Sequence, residues 1–109
     1  MKSYTDLEQS KTLSKILPLE TADMSWVCNG LGKPFARTIP IKGDPEELCG
    51  CWSLAAMLGV LPKGYSLGRR TIGKYYVCMT HIKHNISEFD NPVDACVEMI
   101  LKLHELKML

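Results

Sequence analysis

Asn91–Leu109 reads NPVDACVEMILKLHELKML, and these residues specify a helix more completely than any other part of the chain. Asn91 is a typical N-cap, because its side-chain oxygen can accept a hydrogen bond from an unpaired first-turn amide. Pro92 suits the first helical position, where a missing N–H costs nothing. Apolar residues recur at the helical period, so the sequence predicts one buried face on which the remainder of the chain packs. The predicted buried face comprises Val93, Cys96, Val97, Ile100 and Leu103.

Length and composition indicate one globular domain over residues 1–109. Apolar residues make up 46% of the chain and charged residues 23%, which argues against disorder. A chain of this size buries enough surface to fold without a metal or a disulfide. The formal net charge of +1 excludes an overall basic or acidic binding protein and leaves a local charged patch open.

We expect a soluble, cytoplasmic protein that needs no cofactor and has no membrane partner. The first residues, MKSYTDLEQSKT, are polar and lack the apolar core of a secretion signal. No run approaches the ~18 apolar residues of a membrane-spanning helix. Five cysteines are an odd number, which fits free thiols in a reducing compartment better than a closed disulfide framework.

Start signals predict two further helices. Thr5–Glu8 has the form of a capping box, and a helix over about residues 6–17 follows it. Asp44–Glu47 combines a cap, a proline and acids, which predicts another helix start. That helix is interrupted near Gly50 and resumes over residues 52–61, where it is apolar all round and therefore expected to be buried on both sides.

Strand-forming residues separated by turn signals predict two hairpins. Met24–Cys28 and Phe35–Ile41 flank a turn-rich segment and form the first hairpin. Tyr65–Ile72 and Lys74–Ile82 form the second about Gly73. The predicted fold class is α+β, with a small antiparallel sheet from two hairpins packed with three helices in the order α-β-β-α-β-β-α.

Three segments resemble a large group of short uncharacterised proteins from gut Bacteroidales and their mobile elements. They read SYTDLEQSKTLSKILPLETADM (Ser3–Met24), CWSLAAMLGVLP (Cys51–Pro62) and DNPVDACVEMILKLHELKML (Asp90–Leu109). The resemblance implies a common helical frame with variable strand regions, here Ser25–Leu48 and Lys63–Phe89. It implies no activity, cofactor or catalytic residue, and it favours a recognition module, because binding commonly resides in variable loops on a fixed frame.

Cysteines and histidines in the middle of the chain raise two chemical hypotheses. A soft-ligand site of the kind that binds zinc is one, although Cys-x-Cys is tighter than the usual knuckle spacing. A Cys51 nucleophile is the other, because a helix predicted to start at Cys51–Trp52 would lower the thiol pKa. Cys28, Cys78 and Cys96 are more simply small apolar core residues. The candidates for the soft-ligand site are Cys49, Cys51, Cys78, His81 and His84.

His104 falls on the apolar side of the C-terminal helix, between Val93 and Val97 on the helical wheel. A histidine at such a place is usually partly buried with one ring nitrogen hydrogen-bonded. We therefore predict a core position, and the alternative is a histidine that lines a cleft.

The second hairpin is basic, because Lys63–His84 contains five lysines and arginines and no acid. Three tyrosines are interleaved with these cations, an arrangement that can meet phosphates and stack on bases. The structural alternative is a solvated face whose positive charge pairs with the acidic helix beside it. The candidate contact residues for nucleic acid or an acidic partner are Arg69, Arg70, Lys74 and Lys83.

No catalytic constellation, phosphate-binding loop or hydrolase motif is present in the sequence. The leading hypothesis is therefore a non-enzymatic accessory or interaction module that binds a protein partner through its variable hairpins. The alternative is a nucleic-acid-binding module that uses the basic hairpin 63–84. A third hypothesis is a Cys/His metal-binding or thiol protein.

Overall fold

The computed structural model describes residues 2–28, 33–37, 47–71, 73–79 and 88–107 of the chain. Within these residues the α+β class is confirmed, and the three helices and two hairpins follow one another in the predicted order. The helices are α1 (Leu7–Ser14), α2 (Leu54–Val60) and α3 (Pro92–Glu105), with a short 3₁₀ helix at Leu19–Thr21. The strands are β1 (Met24–Cys28), β2 (Pro34–Arg37), β3 (Glu47–Cys51), β4 (Tyr65–Thr71) and β5 (Lys74–Met79).

The two hairpins lie in separate sheets rather than in a shared one. In the described part of the chain, β1 is the central strand of an antiparallel sheet with the order β2-β1-β3. β4 and β5 form a two-stranded antiparallel sheet of their own. β3 occupies the edge of β1 opposite β2, so both edges of β1 are paired within the first sheet.

Strand β3 corrects the prediction of a helix that starts at Asp44–Glu47. Residues 44–46 lie outside the described part of the chain, and Glu47–Cys51 is a strand that pairs with β1. Gly50 shows how closely this strand is packed, because a Cβ atom there would lie 3.1 Å from the Cβ of Ala22. Long-range pairing with β1 has therefore overridden the local helix-start signal.

The cap of α1 lies one residue later than predicted. Asp6 Oδ1 accepts a hydrogen bond from Gln9 N at 2.8 Å, and Gln9 Oε1 accepts one from Asp6 N at 3.1 Å. The prediction of Thr5 and Glu8 as the capping pair was wrong. Thr5 is instead fully buried, and its hydroxyl accepts a hydrogen bond from Trp52 N at 3.1 Å.

Helix α3 confirms the predicted C-terminal helix with its N-cap and its buried face. Asn91 Oδ1 accepts a hydrogen bond from Asp94 N at 2.8 Å, and Pro92 occupies the first turn. All five residues of the predicted face are buried, and α3 packs against α1, α2, β4 and β5. The core that they join includes Leu13, Leu17, Trp52, Met57 and Val77.

His104 is exposed, so its predicted core position was wrong. Burial along α3 stops at Leu103, and the residues from His104 to Lys107 are all exposed. A position on the apolar side of a helical wheel is buried only where another element covers that turn, and the last turn of α3 extends beyond its cover.

Helix α2 is covered on one side only, contrary to the prediction that it is buried on both. Met57 is fully buried, whereas Ala55, Leu58 and Gly59 are exposed. The Leu58 side chain is 39% exposed. None of the described helices combines the length and the hydropathy that crossing a membrane requires.

Candidate interaction surface

One face of the β4–β5 hairpin is used for packing. Tyr65, Leu67, Tyr75 and Val77 are buried or half-buried and contact the hydrophobic core. They share a face because side chains alternate along a strand and because Leu67 lies opposite Val77 in the register. Tyr65 and Tyr75, two of the three tyrosines considered for base stacking, therefore pack against the core.

Tyr76 lies on the outward face of the same hairpin, directly opposite Gly68. A Cβ atom at Gly68 would lie 2.5 Å from Cζ and 2.6 Å from the hydroxyl oxygen of Tyr76. The ring therefore crosses the backbone of β4 in the space that glycine leaves, as aromatic residues do when they cover a strand glycine. The outward face thus carries an aromatic ring that rests on both strands.

The lysine at the start of β5 is paired with an acid. Tyr75 N donates to Phe89 O and Phe89 N donates to Tyr75 O, both at 2.8 Å, which brings the connector before α3 alongside β5. Asp90 follows directly, and its Oδ1 lies 2.5 Å from Lys74 Nζ. The hydrogen bond and the charge of Asp90, with a smaller contribution from Glu88, raise the pKa of Lys74.

The four predicted basic contact residues therefore do not form one uniform patch in the part of the chain that is described. Arg69 is exposed on β4, and Lys74 is exposed but paired with Asp90. The side chain of Arg70 and the whole of Lys83 lie outside the described residues. The surface at the start of β5 has mixed charge, although the acid paired with Lys74 precedes α3 and does not belong to the helix as the structural alternative predicted.

The first hairpin also exposes an aromatic side chain. In the register of β1 and β2, Phe35 lies opposite Val27, and β2 is one of the two outer strands of the described sheet. Val27 is fully buried, yet the Phe35 side chain is 43% exposed. A strand at Phe35 was predicted, but the exposure of its side chain was not. The one available signal was the alternation that puts Phe35 in a row with Arg37.

The setting of Cys51 contradicts the nucleophile hypothesis. Cys51 is the last residue of β3 rather than the start of a helix, because α2 begins at Leu54 with Ser53 as its cap. Its thiol is fully buried and lies 3.5 Å from the carbonyl oxygen of Thr5. Burial raises the pKa of Cys51 even though hydrogen bonds from Thr5 and Ser10 act in the opposite direction. Such a thiol is a poor nucleophile.

The remaining cysteines and histidines are not brought together as a site by the described residues. Cys49 is half-buried in β3, and the Cys78 side chain and both His81 and His84 lie outside the described part. Among the described residues, no three cysteine, histidine or acidic side chains are grouped so that they could hold a metal ion. Cys96 is a core residue as predicted, and burial raises its pKa to about 11.

Comparison with known protein families, curated proteins and solved structures gives no match to this chain. What the chain can bind is therefore indicated by its own exposed side chains. The two hairpins offer the exposed side chains of Phe35 on β2 and Arg69 on β4, and the half-buried ring of Tyr76 across Gly68.

Proposed function

We propose that this chain is a non-enzymatic, cytoplasmic interaction module that binds a protein partner through accessible side chains of its two hairpins. The observation that carries the proposal is Phe35, a large aromatic side chain that is 43% exposed on an outermost strand. Exposed aromatic residues are enriched at the centres of protein interfaces, where they supply most of the binding energy.

The charges of the second hairpin favour a protein over a polyanion. Nucleic acids bind to surfaces that present several unpaired cations, because each phosphate contact releases a counterion. Here Lys74 is paired with Asp90, and Glu88 lies near enough to act on its pKa. A surface of mixed charge suits a protein partner with complementary charges of both signs.

The resemblance to short Bacteroidales proteins supports the same proposal. The resemblance implies a common helical frame with variable strand regions, and both Phe35 and Tyr76 lie in the regions that it implies to be variable. Variable surface on a fixed frame is typical of recognition, because the frame keeps the fold while the surface selects the partner.

Photo-crosslinking tests the proposal. A benzoyl-phenylalanine residue replaces Phe35, Tyr76 or, as a control, Leu106, which is 58% exposed at the C-cap of α3. In cells of the source organism we expect positions 35 and 76 to capture the same protein and position 106 not to capture it. With that protein purified, Phe35→Ser should weaken binding about tenfold or more, and Leu106→Ser should leave it unchanged.

Two results would contradict the proposal. One is capture of the same protein with equal yield from all three positions, which would indicate non-specific contact. The other is an unchanged dissociation constant for Phe35→Ser, measured by calorimetry with the purified partner.

A nucleic-acid-binding function is the second candidate, because Arg69 is exposed on β4. An exposed arginine can contact the phosphates of a single strand. It predicts low-salt binding of a fluorescent single-stranded oligonucleotide that Arg69→Ala weakens. The matched control is Lys74→Ala, which should change the affinity much less because Lys74 is paired with Asp90. Unchanged anisotropy at low salt would remove this candidate.

A further inference from the structure

The two edges of the second hairpin are covered differently. In the two-stranded sheet, β4 pairs with β5 along one edge only. The far edge of β5 is met by the connector before α3, because Tyr75 and Phe89 form an antiparallel bridge. Among the described strands and bridges, none pairs with the far edge of β4. We call this edge, over Tyr65–Arg69, the outer edge of β4.

The register shows which backbone groups point to the outer edge. The N–H and the C=O of Tyr75 are both bonded to Phe89, so they point away from β4. Arg69 lies opposite Tyr75, and facing residues of antiparallel strands alternate between hydrogen-bonded and non-bonded pairs. Arg69 therefore belongs to a non-bonded pair, as does Leu67 two residues before it. The backbone groups of both residues are directed to the outer edge.

These outward groups have no partner in the described part of the chain. Tyr65 N, on the same edge, donates to Pro62 O at 3.3 Å, whereas Leu67 and Arg69 form no such backbone bond with a described residue. The register shifts after Arg69, so the regular edge ends there. Free backbone groups on an edge strand are a template for a further extended segment.

The side chains of the same two residues indicate the sequence of that segment. Leu67 is half-buried against the core, so an apolar residue opposite it would extend an apolar face. Arg69 is exposed on the same face and forms no ion pair with a described residue. Opposite charges on facing residues stabilise a strand pair, so the residue opposite Arg69 should be acidic.

Charge also disfavours a second copy of this chain as the added strand. The strand β4 reads YSLGRRT, and its only charged residues are two arginines. Two such strands side by side would bring like charges together, which destabilises the pair. An acidic segment of a different protein is complementary to β4, and a second copy is not.

We propose that the outer edge of β4 pairs with an extended segment of the protein partner, which places an apolar residue opposite Leu67 and an acidic residue opposite Arg69. This inference rests on the proposed function, because it names the part of the partner that the second hairpin binds. Only two residues offer free backbone groups, so we expect an isolated peptide to bind with a dissociation constant of roughly 100 μM.

Amide hydrogen exchange of the full chain, followed residue by residue by NMR, tests the edge itself. The amides of Ser66 and Gly68 point to β5, whereas those of Leu67 and Arg69 point outward. In the free chain we expect the two outward amides to exchange at least about tenfold faster than the two inward ones. The inward amides are the internal control.

A synthetic peptide tests the occupant. The probe is a capped seven-residue threonine peptide with glutamate at its third position and valine at its fifth, which an antiparallel alignment places opposite Arg69 and Leu67. At about ten times its dissociation constant it should slow exchange of the two outward amides about tenfold. A second peptide with lysine in place of glutamate should bind about tenfold more weakly.

Variants of the chain test the charge on β4. Arg69→Glu should bind the glutamate peptide about tenfold more weakly and should prefer the lysine peptide, because the charges of the pair are exchanged. Lys74→Ala is the matched control, since Lys74 is an exposed cation of the same hairpin that is already paired with Asp90. It should leave the affinity for the glutamate peptide unchanged.

The proposal is overturned if the outward amides of the free chain exchange as slowly as the inward ones, because the edge would then be covered. It is also overturned if the glutamate peptide leaves the outward amides unprotected, or if the lysine peptide binds equally well. Protection that rises with protein concentration alone would indicate a second copy and would overturn it too. Each of these results leaves capture from positions 35 and 76 unchanged, so failure of this inference is distinguishable from failure of the proposed function.

Discussion

Helices α2 and α3 were both predicted to be buried, and they differ in how completely the fold buries them. The apolar face of α3 lies against α1, α2, β4 and β5, and Val93, Cys96 and Ile100 are fully buried. Helix α2 is apolar all round, but it packs against α3 and the 3₁₀ helix and leaves Leu58 39% exposed. A periodic pattern thus shows which side of a helix can be buried, and the number of neighbouring elements decides which side is buried.

The largest expected difference between the two helices is in the free energy of unfolding. Ile100→Ala removes a fully buried side chain from α3 and should lower that free energy by about 3–4 kcal/mol. Leu58→Ala on α2 should lower it by less than about 1 kcal/mol, because the side chain is partly exposed and leaves no closed cavity. Urea unfolding at low protein concentration measures both. Equal losses would show that α2 is covered after all.

The glycine of the second hairpin gives the next largest effect. Gly68→Ala should lower the free energy of unfolding by about 2 kcal/mol, because its Cβ would lie 2.5 Å from Cζ of Tyr76 and the ring would have to move. In a chain that already carries Tyr76→Ala, the same substitution should cost almost nothing. A double-mutant cycle by urea unfolding measures this coupling, and additive losses would mean that the ring does not lie across Gly68.

The glycine of α2 should behave in the opposite way. Gly59→Ala should raise the free energy of unfolding by up to about 1 kcal/mol, because alanine favours the helix and its Cβ meets no atom within 4 Å. Thermal unfolding at low concentration checks the sign. A loss of stability would show that Gly59 is closely packed, which would contradict the open space around its Cα.

The smallest effect concerns the polar start of α3. Asp94 Oδ1 accepts hydrogen bonds from Lys2 Nζ at 2.9 Å and from Gln9 Nε2 at 2.7 Å. Burial alone would raise the pKa of Asp94, but these bonds, a further one from Asn91 and the charge of Lys2 hold it below its ordinary value. The stability that Asp94 contributes is therefore present above its unfolded pKa near 3.8 and is lost as the pH falls through the lower folded pKa.

Asp94→Asn should accordingly lower the free energy of unfolding by about 0.5 kcal/mol at pH 7 and by less at pH 2. Glu98→Gln, which removes an exposed acid from the outer side of α3, is the control and should have almost no effect. Urea titrations at the two pH values measure the difference. An equal loss from Asp94→Asn at both pH values would contradict the role given to the Asp94 charge.

Local signals were sufficient for much of the fold. The cap and proline at Asn91 and Pro92 located the start of α3, because those residues act within one turn. Gly73 located the turn of the second hairpin, and its positive φ of 82° is a conformation that glycine adopts readily. Strand β1 was predicted with its observed bounds, Met24–Cys28.

The features that the sequence did not predict depend on contacts between distant residues. β3 is a strand because β1 pairs with it, a contact that the helix-start signal before Cys49 does not reveal. His104 is exposed because α3 extends past its cover. The face on which Tyr76 lies and the exposure of Phe35 depend on the strand register, which composition alone does not determine. The pairing of Lys74 depends on Asp90, which the connector before α3 brings alongside β5.

Hydrogen–deuterium exchange followed by mass spectrometry tests the contrast between the two helices most directly. We expect the amides of α3 between Cys96 and Ile100 to exchange slowly, because both of these residues are fully buried. The amides of α2 should exchange faster, because the helix is covered on one side only. Amides of α2 that are as protected as those of α3 would contradict this contrast.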